Sequence, residues 1–235
     1  MNLGEILIYL NPLLILSAIY FGYKNLSKEN VNNIRNFNSL SYIILGNHSF
    51  LVILLAYYFL TTNLKFEYVS DYSSKELSIG YKLAGVWAGR DGTLLIWAWA
   101  TSLTLVLERY FHKEENKQKE LTSLIGMMLL LALCIIQLYI NPFGLNDVVP
   151  SVGNGLNPLL LSPYMVIHPP IVFVAYGMIV LLYASAMAFL ITEDKSWDKT
   201  IKRWGRASWI GMSLALIIGG YWAYVTLGWG GYWAW

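Results

Sequence analysis

The stretch Leu121–Ile140, LTSLIGMMLLLALCIIQLYI, decides the fold class. It carries no charged side chain, and as a helix rising about 1.5 Å per residue it matches a bilayer core about 30 Å thick. Five further stretches share this character: Leu3–Tyr23, Leu40–Thr62, Thr93–Arg109, Pro170–Thr192 and Ala207–Thr226. The 235-residue chain is 57% hydrophobic and only 13% charged, with ten Trp and seventeen Tyr. That is the composition of a polytopic membrane protein rather than a soluble domain. The expected architecture is an all-α polytopic membrane protein, one transmembrane domain over 1–235 with about six transmembrane helices. The first stretch begins at Met1, contains Glu5 in place of a basic leader, and has no small-residue cleavage site after it. It reads as a retained span rather than a signal peptide.

Lys and Arg orient the spans, because basic loops stay on the cytoplasmic side. Lys24, Lys28 and Arg35 follow the first stretch; Arg109, Lys113, Lys117 and Lys119 follow the third; Lys195, Lys199, Lys202, Arg203 and Arg206 follow the fifth. Twelve of the sixteen basic residues thus share one face, leaving Lys65, Lys75, Lys82 and Arg90 for the other. Both termini and the loops 63–92 and 141–169 are therefore expected outside. A net charge of +2 gives no indication of nucleic acid. The single cysteine, Cys134, excludes a disulfide framework and reads as a helix-packing residue.

The outer segments differ in kind from the inner ones. Between Asn141 and Pro170 fall six of the seven prolines, Pro142, Pro150, Pro158, Pro163, Pro169 and Pro170, with Asp147 the only charge. So many prolines argue against a continuous helix, and so few charges against a solvated linker, which leaves a shaped lid on the membrane surface. The other outer loop ends in an aromatic and glycine-rich run, Tyr81 to Gly92. The chain closes on Gly228-Trp229-Gly230-Gly231-Tyr232-Trp233-Ala234-Trp235. Glycines remove side-chain bulk so that backbone and indoles can approach a flat ring. A large apolar planar ligand with a polar edge fits this cluster, and heme is the leading candidate.

Leu156-Asn157-Pro158-Leu159-Leu160, Ser162-Pro163, His168-Pro169-Pro170, Tyr221-Trp222-Ala223-Tyr224 and the terminal cluster resemble the cytochrome c maturation heme lyase family, the CcmF type of the tryptophan-rich heme-handling proteins. The run Trp87-Ala88-Gly89-Arg90-Asp91-Gly92-Thr93-Leu94-Leu95-Ile96-Trp97 is also similar to that family's tryptophan-glycine segment, so the likeness spans nearly the whole chain. Two departures stand out. Tyr232 occupies a position usually held by tryptophan, and the family motif continues with an acid and proline beyond the position of Trp235, then with further helices.

The resemblance implies covalent attachment of heme b (iron protoporphyrin IX) to apocytochrome c. Two thiols of a Cys-x-x-Cys-His segment add to the heme vinyl groups as thioethers, and the protein contributes mostly orientation and ligation. It implies His168 as an axial ligand of the heme iron, and a wall built from Trp222, Gly228, Trp229, Gly230, Gly231, Tyr232, Trp233 and Trp235, with Asn157, Pro158 and Trp87 nearby. The implied partners are heme, apocytochrome c, a heme chaperone and other maturation proteins, membrane lipid, and a second polypeptide or missing portion carrying the rest of the lyase. The implied location is the plasma membrane with the heme site on its extracytoplasmic side. Pro169 and Pro170 are expected to start the fifth span and to hold His168 extended before it.

The residues alone leave alternatives open. A His-Pro-Pro is also a helix cap at the interface. His48 is a membrane-embedded ligand or proton carrier, or else a polar interhelical contact with Asn47 and Ser49 around it. Arg90 and Asp91 touch propionates or the apocytochrome, or simply pair across a turn. His112 reads as a solvated residue near a helix end, Trp197, Trp204 and Trp209 as interfacial anchors, and Ala184 with Ala188 and Ala215 with Gly219 as helix packing. The competing classes are a heme carrier or exporter of the same superfamily, a non-catalytic structural subunit, and a solute transporter.

Overall fold

The computed structural model describes residues 1–27, 31–112 and 116–228. Nine α-helices occur among them: α1 (Leu3–Ser27), α2 (Val31–Leu60), α3 (Glu67–Tyr72), α4 (Ile79–Gly85), α5 (Arg90–Phe111), α6 (Lys117–Tyr139), α7 (Pro163–Thr192), α8 (Trp197–Thr200) and α9 (Arg206–Leu227). A 3-10 turn at Pro158–Leu160 precedes α7, and a π-helical turn at Ile201–Gly205 joins α8 to α9. The all-helical expectation holds.

Among the described residues, five helices are long and apolar enough to cross a membrane: α1, α2, α6, α7 and the continuous run Trp197–Leu227. The third expected span coincides with α5, which stands outside that group. Its apolar run is interrupted by Trp97, Trp99, Thr101, Ser102 and Thr104 and is flanked by charge at Arg90, Asp91, Glu108 and Arg109. It packs against α2, α6 and α7. Half its residues are buried, so it forms the middle of the bundle.

Local chemistry fixes the ends. Asn2 and Glu5 form a reciprocal capping box: the Asn2 carboxamide accepts from Glu5 N–H at 3.1 Å and the Glu5 carboxylate from Asn2 N–H at 2.9 Å. Asn2 Nδ2 also donates to the Phe143 carbonyl at 2.7 Å, tying the start of α1 to the loop after α6. Asn116 caps α6 through Lys119 N–H at 2.8 Å.

The two loops expected outside, 63–92 and 141–169, are folded, and folded on each other. Glu67 N–H donates to Gly144 O, Asn146 N–H to Lys65 O and Asn154 N–H to Ser70 O, with a bridge pairing Phe66 and Leu145. Asn146 Nδ2 adds bonds to Leu64 O and Ser70 Oγ at 2.9 and 3.0 Å. Beneath them Tyr58 stacks on Phe66 at 4.1 Å, and Phe59 meets Tyr68 edge-on at 5.5 Å. This aromatic layer continues the core of Ile8, Leu51, Leu55, Leu95 and Phe143.

Loop 63–92 contains α3, α4 and the start of α5, and α7 begins at Pro163, within loop 141–169. Pro169 and Pro170 lie inside α7, so His168 is helical rather than extended. Ser162 caps this helix through Tyr164 N–H, and Pro163 takes the first helical position, where its missing N–H costs nothing.

The opposite end of the bundle is held by a buried ionic network. Glu108 accepts from Thr200 Oγ1 at 2.5 Å and Trp204 Nε1 at 2.6 Å, and lies 3.1 Å from His112 Nδ1. Arg109 reaches Asn38, Ser123 and Glu120 at 2.6, 3.0 and 2.9 Å. His112 is thus a buried partner of a carboxylate, 7% exposed, and not a solvated loop residue. Trp204 is likewise buried and not an interfacial anchor, whereas Trp209 is exposed as expected.

Candidate functional site

His168 sits on the second turn of α7, in a helix whose ladder is broken there. Pro169 has no N–H, so the Met165 carbonyl four residues earlier loses its helical donor. Trp87 Nε1 replaces it, donating to Met165 O at 2.9 Å. Trp87 is in turn set by the glycine-rich turn before α5. Tyr68 Oη accepts from Gly89 N–H at 2.9 Å, and Gly92 has no room for a Cβ because the Val86 carbonyl lies against it. Burial pushes the Tyr68 phenol up, which keeps it protonated while it holds this turn.

Across from His168 lies α9. A Cβ on Gly219 would meet His168 Cε1 at 2.6 Å and Nδ1 at 3.1 Å, so the absence of a side chain there is what admits the imidazole. One turn on, the Trp222 ring meets the imidazole edge-on, centroids 5.8 Å apart at 64°. His168 Nδ1 and Trp222 Nε1 are both buried with no hydrogen-bond partner among the described residues. Tyr164 and Tyr221 make a similar edge contact at 5.3 Å beside them.

An apolar cleft of about 220 Å³ adjoins this pair, lined by Leu159, Leu160, Gly219, Trp222, Ala223, Thr226 and Leu227. Its rim is the 3-10 turn, shaped by Asn157, whose Oδ1 accepts from Leu159 N–H at 2.9 Å, and by Pro158 at the first position. His168 stands behind the lining, touching two of its members. Gly228 closes α9 with φ +70°, donating to Tyr224 O at 3.0 Å. A left-handed cap of that kind suits glycine.

Of the expected site residues, the structure brings His168 and Trp222 together beside one cleft, with Asn157 and Pro158 in the turn at its rim. Trp87 is close in the fold, but its indole N–H is committed to α7. Trp229, Gly230, Gly231, Tyr232, Trp233 and Trp235 lie outside the described residues. Arg90 and Asp91 pair with each other at 3.5 Å, with Arg90 exposed. His48 is fully buried, with Nδ1–H on Ile44 O at 3.0 Å within α2 and Nε2 at 3.6 Å from Cys134 Sγ on α6, so both ring nitrogens are engaged and one of them makes an interhelical contact. Gly219 was legible only as half of a small-residue pair; its place against an imidazole was not.

A family model for the cytochrome C assembly protein matches residues 87–235. The chain is 31% identical over 214 residues to the cytochrome c-type biogenesis protein NrfE of Haemophilus influenzae, covering 89% of this chain and 34% of that protein. It is 27% identical over 240 residues to CcmF of the same organism, covering 100% and 37%, and 30% identical over 195 residues to CcmF of Escherichia coli, covering 80% and 29%. A solved structure described as the cytochrome c heme lyase CcmF superposes with a TM-score of 0.83 at 19% identity, over 99% of this chain and 38% of that one, which shows the shared fold. The chain spans about a third of the length of the curated relatives it matches. It belongs to the cytochrome c assembly protein family, and its relatives are of the CcmF and NrfE type.

Proposed function

We propose that this member of the cytochrome c assembly family is the N-terminal part of a cytochrome c heme lyase, binding heme b as the substrate to be joined to apocytochrome c. One observation carries the reading: a buried imidazole nitrogen, His168 Nδ1, with no hydrogen-bond partner among the described residues, beside a bare glycine, an indole and an apolar cleft. Buried polar atoms are almost always paired, and an orphan calls for a ligand. A neutral imidazole in apolar surroundings is a donor for heme iron. Heme supplies that iron and the vinyl groups to which the two thiols of Cys-x-x-Cys-His add.

The chain's own residues hold and orient. His168 ligates, Trp222 fixes the ring edge, and Leu159, Leu160, Ala223 and Leu227 exclude water. Trp229, Tyr232, Trp233 and Trp235, interleaved with Gly228, Gly230 and Gly231, wall the porphyrin. Trp87 acts one step back, keeping the proline-broken turns of α7 in place. In this reading α5 is the third of six spans, its 22 residues extending about 33 Å. Both termini and the cleft then face outside the plasma membrane, where the apocytochrome arrives, and a second polypeptide or further portion completes the lyase with the chaperone and other maturation proteins.

The test is spectroscopic. Co-purified with the polypeptide carrying the remainder of the lyase, His168→Gly should lose or shift its Soret band, and added imidazole should restore it. A variant with an unchanged band and undiminished heme content overturns the ligand assignment.

A further inference from the structure

A second cleft, of about 510 Å³, opens where α2 leaves its membrane-length segment. Its walls include Thr62, Lys65, Lys75, Val149, Pro150 and Ser151, and no carboxylate lines it. Both lysines are exposed. The last carbonyls of α2 are already occupied: Tyr57 O by Thr61, Tyr58 O by Asn63 and Phe59 O by Thr62. These carbonyls at the end of the helix are thus partnered, and two lysines stand among the lining residues.

Thr62 is the unusual member. It is β-branched yet held in the left-handed region at φ +49°, a conformation such residues rarely adopt. That backbone keeps its hydroxyl in the wall, where Oγ1 is buried with no hydrogen-bond partner among the described residues. A buried hydroxyl and two lysines, with no partner and no carboxylate ion pair among the described residues, describe a pocket for an anion.

The surroundings say which anion. Phe50, Ile53, Tyr57 and Leu60 are exposed and spaced three or four apart, so they form one apolar stripe on α2 that runs along the membrane-length segment to the cleft. On the far rim Val148, Val149 and Val152 are exposed, Val148 to 84%. A free phosphate would use the lysines and none of this apolar surface. A diacyl lipid uses both, with its phosphate at Thr62, Lys65 and Lys75 and a chain along the stripe.

We propose that this cleft binds the headgroup of an anionic phospholipid, and that the lipid seats the two interlocked outer loops on the membrane surface. The test uses the full chain in mixed micelles containing dioleoyl phosphatidylglycerol or dioleoyl phosphatidylcholine, with retained lipid counted by native mass spectrometry. Lys65→Ala with Lys75→Ala should lower retained phosphatidylglycerol about 30-fold, the equivalent of about 2 kcal/mol for two interfacial lysines. Lys65→Arg with Lys75→Arg should restore it, and Thr62→Val should weaken it without changing thermal stability. Millimolar inorganic phosphate should not displace the lipid. Unchanged retention in the double alanine variant, equal retention of phosphatidylcholine, or displacement by free phosphate would each overturn the proposal.

Discussion

Replacing Gly219 with alanine adds a single methyl group, and the geometry says how far that group reaches. Its carbon would stand 2.6 Å from His168 Cε1, 3.1 Å from Nδ1 and 3.3 Å from Nε2. Carbon pairs rest at about 3.5–4.0 Å, so ring and helix must part by about 1 Å. Neither gives easily. Trp222 abuts the ring on the next turn of α9, and Gly211 two turns back already brings α9 within 3.1 Å of Ala175 by the same measure. Overpacking of this kind costs about 1–3 kcal/mol, roughly a 5- to 150-fold loss in any affinity that depends on the ring's position. Soret titration of the chain completed by the remainder of the lyase reads that loss directly. Gly46→Ala is the control, since its methyl would meet nothing within 4 Å and alanine favours a helix. If Gly219→Ala bound heme within about twofold of the parent, well short of the decade that 1.4 kcal/mol represents, the ring would not be set by α9 and the steric reasoning would fail.

Trp87→Phe should lower thermal stability by about 1–3 kcal/mol, because it strands the Met165 carbonyl. Pro169→Ala returns the missing N–H, so the double variant should be less destabilised than the sum, and strict additivity in a double-mutant cycle would disprove the substitution of indole for amide. Glu108→Leu removes the acceptor shared by Thr200 and Trp204; breaking such a buried ionic cluster should cost about 3–5 kcal/mol, seen as lost monodispersity in detergent. Glu108→Gln, which keeps an acceptor, should fall between. For topology, Asp147→Cys and Lys199→Cys in a Cys134→Ala background should react oppositely with an impermeant maleimide, Asp147→Cys from outside only, and the reverse pattern would invert the proposed orientation.

The helices were legible because their apolar runs are long: the expected bounds of the first, fourth and sixth spans fall within or close to α1, α6 and α9. The His168–Trp222 pairing was legible only as two motifs. What escaped was everything decided by residues far apart in the chain. Pro169 and Pro170 argue locally for a helix start, and Trp87, 78 residues from the Met165 carbonyl it bonds, shows how the helix continues through them. His112 and Trp204 look like surface residues in basic segments until Glu108 is seen between them, 96 residues from Trp204. Hydropathy likewise undervalues α5, whose polar and aromatic side chains pack against three neighbouring helices.

The interlocking of loops 63–92 and 141–169 has a consequence for how the chain is made. The carboxamide of Asn146 must find the carbonyl of Leu64, 82 residues earlier. At about 5–20 residues per second the ribosome needs roughly 4 to 16 seconds to cover that distance. Throughout this interval the carbonyls of Leu64, Lys65 and Ser70 and the N–H of Glu67 wait for their later partners. A passing chaperone or the insertion machinery has those seconds, and no more, in which to shield a half-built cap.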